Sequence, residues 1–129
     1  MTILVAYVPR PEGRAALDKG IEIATERNER LVIVNAGPGG QHEDPTVING
    51  YEAETVEERL RTLSIPAEFK QFVRGKSAID EIVELVEQLQ ATMLIIGMRK
   101  RSPVGKLLLG SVAQEILFNV PCPVLAVKA

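Results

Sequence analysis

A chain of 129 residues that is 46% hydrophobic and 25% charged has the makeup of one folded domain, which excludes a disordered chain and leaves no room for two full cores. Its net charge of −2 and its 4% aromatic content, without Trp, give nucleic acid neither a basic surface nor a stacking platform, so no nucleic-acid partner is expected. A single cysteine, Cys122, excludes an internal disulfide, a single histidine, His42, leaves a histidine-based metal site short of ligands, and no apolar run approaches the roughly 20 residues of a membrane helix.

In chain order, residues 3–8 form the first of four short, unbroken apolar runs; the others are 31–34, 93–96 and 124–127. Each is rich in β-branched side chains and does not alternate, which suits a strand buried on both faces in a parallel sheet. No basic region with a secretory core precedes the first run, and the chain reads as soluble and cytoplasmic. Pro11 and Glu12 open a helix, since Pro is favoured in a first turn and an acid suits the positive helix end. Ala16, Leu17, Gly20, Ile21, Ile23 and Ala24 supply its apolar stripe. Residues 37–45, GPGGQHEDP, are a loop by composition. His42, Glu43 and Asp44 within it are poorly spaced for a metal, and His42 reads as a surface residue.

Ala53, Val56, Leu60 and Leu63 stripe the second helix. Ala67–Val73 mixes Phe69, Phe72 and Val73 with Glu68, Lys70 and Gln71, the mark of a more exposed strand at a sheet edge. Ser77 followed by Asp80 fits a capping box, with Ile79, Ile82, Val83, Val86 and Leu89 at helical spacing behind it. Asp80, Glu81, Glu84 and Glu87 are read as the solvent face of this third helix, with an acidic docking face as the lesser reading. The last helix starts near Ser111, carries Val112, Ile116, Leu117 and Val120, and stops at Pro121 and Pro123. Strand and helix thus alternate from first to last, which predicts a doubly wound α/β sheet with right-handed crossovers. Ligands of such sheets sit beyond the carboxyl ends of the strands, where the strand order reverses.

The loop after the fourth strand carries the chemistry. Residues 97–111 hold Arg99, Lys100, Arg101 and Lys106 but no acid, and end in Gly110-Ser111 at a helix start. Helix N-terminal amides attract anions, Gly allows close approach of a phosphate to the backbone, and Ser adds a hydroxyl. The plainer reading makes Ser111 an N-cap, Gly110 a turn residue and the basic run solvated surface. A Walker-type loop is rejected, because Leu107 follows Gly105-Lys106 and Lys100 stands where the first glycine belongs. Cys122, between two prolines, reads as packing filler, and no catalytic constellation can be assembled around one histidine.

Residues 97–112 resemble the signature of the universal stress protein family: G-x-x-G, nine residues, then G-[ST]. The opening Ile3-Leu4-Val5-Ala6, the stretch Leu107-Leu108-Leu109-Gly110-Ser111-Val112-Ala113 and the ending Pro121-Cys122-Pro123-Val124-Leu125-Ala126-Val127-Lys128 extend the likeness over almost the whole chain, read as one domain, 1–129. The resemblance implies an adenine nucleotide alpha hydrolase-like fold: a five-stranded parallel sheet in the order 3-2-1-4-5 with two helices on each face. It also implies a homodimer, formed through strand 123–127, and a stress-responsive cytoplasmic protein without established catalytic chemistry. Some members of the family bind ATP or AMP and others do not; no metal is required. Carried over, the nucleotide site comprises Tyr7, Val8, Ala36, Gly97, Arg99, Lys100, Gly110, Ser111 and Val112, with Asn35 beside Ala36 near the adenine or ribose. Two positions depart from the pattern. Val8 stands where ATP-binding members usually carry Asp, and Lys100 replaces the second signature glycine. The resulting readings are a nucleotide-responsive stress protein, a nucleotide-free interaction protein of the same fold, and a slow ATP hydrolase that lacks a visible base.

Overall fold

In the computed structural model, which describes residues 1–37, 50–73, 77–98 and 111–129, strand and helix alternate as expected. The strands are β1 (Thr2–Ala6), β2 (Arg30–Gly37), β3 (Ala67–Val73), β4 (Ala91–Met98) and β5 (Val124–Lys128). The helices are α1 (Pro11–Arg27), α2 (Gly50–Arg61), α3 (Ala78–Leu89) and α4 (Ser111–Asn119). All strands pair in parallel, in the order β3-β2-β1-β4-β5, so the expected edge strands, β3 and β5, are the edges. No described helix is long and apolar enough to cross a membrane.

Each strand divides its side chains between two cores, because successive residues point to opposite faces. Ile3, Val5, Leu31, Ile33 and Ile95 pack against Ala16, Leu17 and Ala24 of α1 and Val56 and Leu60 of α2. Leu4, Val32, Val34, Leu94 and Ile96 pack against Ile82, Leu85 and Val86 of α3 and Ile116 of α4. Burial on both faces is the physical reason that these runs are apolar without alternation. The first strand is shorter than the run 3–8: pairing with β2 ends at Ala6↔Val34, and the Val8 carbonyl accepts the Arg10 amide at 2.8 Å as the chain turns into α1.

The α1–α2 pair is tied across its seam by Arg59 Nη1 to Asp18 Oδ1 at 2.7 Å and Arg14 Nη2 to Glu52 Oε1 at 3.3 Å. In α3, the Ser77 hydroxyl accepts the Asp80 amide at 3.3 Å, the expected cap. Two expectations for the second face are corrected. Glu81 is 4% exposed and does not belong to the solvent face. It stands four residues before buried Leu85, on the flank of the arc that meets the sheet. Leu117 is 43% exposed, because Ile116 takes the inward direction on α4 and the next side chain is rotated about 100° away from it. Leu63 lies past the end of α2, in a turn that its amide closes on the Leu60 carbonyl at 3.2 Å, and still packs at the margin of the first core.

Candidate functional site

The strand order reverses between β1 and β4, and among the described residues Val8, Ala36 and Gly97 lie at or just beyond the carboxyl ends of the strands around that point. Ligand access to the crevice there depends on how β1 leaves the sheet. Alternate residues of a strand direct their peptide groups to opposite neighbours. On β2, the Leu31 amide donates to the Pro66 carbonyl at 2.9 Å on the β3 side, and the Val34 carbonyl accepts the Tyr7 amide at 2.8 Å on the β1 side. Ala36 therefore also faces the β1 side. The ladder from β1 has already ended at Val34, although β2 continues to pair with β3 as far as Gly37↔Val73. The Ala36 peptide is directed into the space that β1 has left.

Asn35 maintains that parting of the strands. It is fully buried, its Nδ2 donates to the Tyr7 carbonyl at 2.9 Å, and its Oδ1 accepts Gln71 Nε2 at 3.2 Å. A side chain thus meets a carbonyl that a continued ladder would have used. Tyr7 is 3% exposed, with its ring in the α1–α2 core and its hydroxyl donating to Glu52 Oε1 at 2.6 Å. Burial, reinforced by the Glu52 carboxylate, pushes the Tyr7 hydroxyl up to about 12. The sequence pointed to Asn35 only by position; the roles of Gln71 and Glu52 were not anticipated. The available signal was an amide side chain closing a run of apolar strand residues.

Val8 is half-buried at the mouth of the crevice. Gly97, next to last in β4, has a role that does not involve a ligand. A Cβ built there would lie 2.1 Å from the Glu12 carbonyl oxygen, and one built on Gly13 would lie 1.9 Å from the Val8 carbonyl oxygen. The first turn of α1 is seated against both strand ends, and only glycine permits that approach. Ser111 and Val112 form the start of α4, on the opposite face of the sheet from α1, so the crevice lies between two helix N-termini. Arg99, Lys100 and Gly110, like Arg101, Lys106 and His42, lie outside the described residues. Among the described residues no group of three or more His, Cys, Asp or Glu is placed to hold a metal. Cys122 is half-buried among apolar neighbours of the second core, and burial pushes its thiol up, away from the activated thiolate form.

The family model for the universal stress protein family matches residues 1–128. The chain belongs to that family. A universal stress protein of Mycolicibacterium smegmatis is 44% identical over 126 residues, which are 98% of this chain and 96% of that one. The solved universal stress protein from Archaeoglobus fulgidus superposes with a TM-score of 0.79 at 29% identity, covering 98% of this chain and 97% of that chain. A second structure from the same organism, in complex with dAMP, has a TM-score of 0.73 at 23% identity over 98% and 96% of the two chains, and shows the shared fold. This universal stress protein thus has the adenine nucleotide alpha hydrolase-like sheet expected of it.

Proposed function

We propose that this universal stress protein, one domain over residues 1–129, is a non-catalytic binding protein that holds ATP, AMP or another phosphate-bearing ligand in the crevice between β1 and β4. The observation that carries the reading is the Ala36 peptide, turned toward the side that β1 has left, on a crevice whose other wall is the start of α4 at Ser111. A peptide group in that position is suited to hydrogen-bond a base edge, and a helix N-terminus is suited to a phosphate. The phosphates lie over Gly97, Gly110, Ser111 and Val112, with Arg99 and Lys100 adding charge. The base lies toward Val8 and Ala36, with buried Tyr7 supporting the wall behind it. The dAMP complex of the Archaeoglobus fulgidus protein adds support from a chain of the same fold.

Two features favour a nucleotide-free interaction protein instead. Val8 offers no hydrogen-bond acceptor from its side chain, and Gly97 is already required by the packing of α1. In either case the protein is proposed to act in the cytoplasm as a homodimer through strand 123–127, since β5 is an edge strand with half-buried apolar residues. Calorimetric titration of ATP and AMP decides between the two readings. The nucleotide reading predicts heat with wild type, about tenfold weaker binding or less with Ser111→Ala, the scale of one hydrogen bond, and none with Gly110→Val. It also predicts tighter binding with Val8→Asp. If wild type and Val8→Asp both give no heat and no thermal protection at millimolar nucleotide, the interaction-protein reading replaces it.

A further inference from the structure

On the face away from α1 and α2, helices α3 and α4 enclose an open groove of about 550 Å³. Ile79 and Val83 supply its apolar lining, and Asp80, Glu84, Glu87, Glu115 and Asn119 supply the rest. Phe118 is 87% exposed and stands one turn beyond Glu115 on α4, at the flank of the groove. A phenylalanine this exposed beside a groove that Ile79 and Val83 line in part is surface that a partner could cover.

The charges indicate the kind of partner. Neither α3 nor α4 contains a Lys or Arg, so no cation of either helix lies on their seam. The α1–α2 seam, by contrast, is closed by two pairs of opposite charge. An apolar lining, an exposed aromatic ring and carboxylates contributed by both walls together complement a helix with apolar anchors and flanking Lys or Arg. The same carboxylates repel phosphate backbones and acidic peptides. We infer that the α3–α4 groove is a docking site for a cationic amphipathic helix of a partner protein. Its apolar residues lie over Ile79, Val83 and Phe118, and its cations pair with Asp80, Glu87 and Glu115. The site is separate from the nucleotide crevice and does not depend on that reading.

The test uses the full chain and two labelled synthetic peptides of one helical pattern, Leu/Lys and Leu/Glu. Fluorescence anisotropy should show binding of the Leu/Lys peptide, no binding of the Leu/Glu peptide, and weakening by about tenfold or more as salt rises toward 0.5 M. Glu87→Lys combined with Glu115→Lys should weaken binding by about tenfold or more. Phe118→Ser should weaken it severalfold without removing the salt dependence. Glu54→Lys with Glu57→Lys, on the exposed face of α2, should leave binding unchanged, and amide shifts should map to 79–87 and 115–119. Equal loss in the α2 control would mean attraction to negative charge in general and would overturn the proposal. So would absence of binding at millimolar Leu/Lys peptide. Ultracentrifugation supplies a further check. If Phe118→Ser turns a dimer into a monomer and the dimeric wild type does not bind the peptide, a second copy covers this face and the proposal fails.

Discussion

The α1–α2 seam is tied by Arg59 to Asp18 and Arg14 to Glu52, whereas the α3–α4 seam is lined by Asp80, Glu84, Glu87 and Glu115. Both helix pairs cover well-buried cores, so the contrast lies above the apolar layer and not within it. Exposed ion pairs are worth about 0–1 kcal/mol, so helices that carry no cation of their own to pair across the seam lose little stability by it. The charge pattern of a helix seam is therefore free to serve recognition, while burial holds the helix in place. The same division separates the ends of the sheet. Close glycine contacts and buried hydrogen bonds fix the α1 side of the crevice, and the α4 side presents a helix start to it.

The largest effect is expected where the α1 side is tightest. Gly97→Ala places a methyl group about 2.1 Å from the Glu12 carbonyl oxygen, and relief requires α1 to shift. A loss of about 3 kcal/mol is expected from such overpacking, read as a lower midpoint in urea unfolding. An unchanged midpoint would mean that α1 is not seated against β4. Asn35→Leu comes next. It leaves the Tyr7 carbonyl without its buried partner and removes one bond of the Gln71 amide, and a loss of about 2 kcal/mol is expected, with an unchanged denaturant slope.

Tyr7→Phe removes the hydroxyl bond to Glu52 and should cost about 1 kcal/mol near neutral pH. Its pH dependence is more diagnostic. The folded hydroxyl titrates near 12 and the unfolded one near 10.0, so unfolding releases a proton between those values. The contribution of Tyr7 to stability is complete below pH 10 and is lost as pH rises through about 12. Unfolding midpoints measured across that range should fall less steeply in Tyr7→Phe than in wild type.

The smallest effect falls on the opposite seam. Glu87→Arg introduces the cation that α3 and α4 lack and should stabilise the chain by about 0.5 kcal/mol, whereas Arg59→Glu on the tied seam should destabilise it by a similar amount. Thermal midpoints moving in the same direction for both would break the contrast between the seams.

The fold was legible because burial on both faces leaves a plain mark: unbroken β-branched runs separated by helical stripes. Ala67–Val73 could be placed at an edge because Glu68, Lys70 and Gln71 interrupt its apolar residues. Burial of individual helix residues was less legible. The direction of the apolar arc, not residue type, decides it, which is how Glu81 came to be inside and Leu117 partly outside. At the site, the signature gives Gly97 a place but not its packing contact, the first turn of α1. That contact joins residues 85 positions apart in the chain, and no local pattern encodes it. The Asn35–Tyr7–Gln71 bonds are equally non-local, and only the polarity of Asn35 at a strand end hinted at them.

The central claim is that the crevice between β1 and β4, and not the α3–α4 groove, receives the nucleotide. Amide shift mapping during titration of AMP into the isotopically labelled full chain tests it most directly. The account predicts perturbations at Val8, Ala36, Gly97 and the start of α4 from Ser111 to Ala113, with Asp80, Glu84, Glu87 and Glu115 unmoved. Perturbation confined to α3 and the end of α4, or none at millimolar AMP, would contradict it.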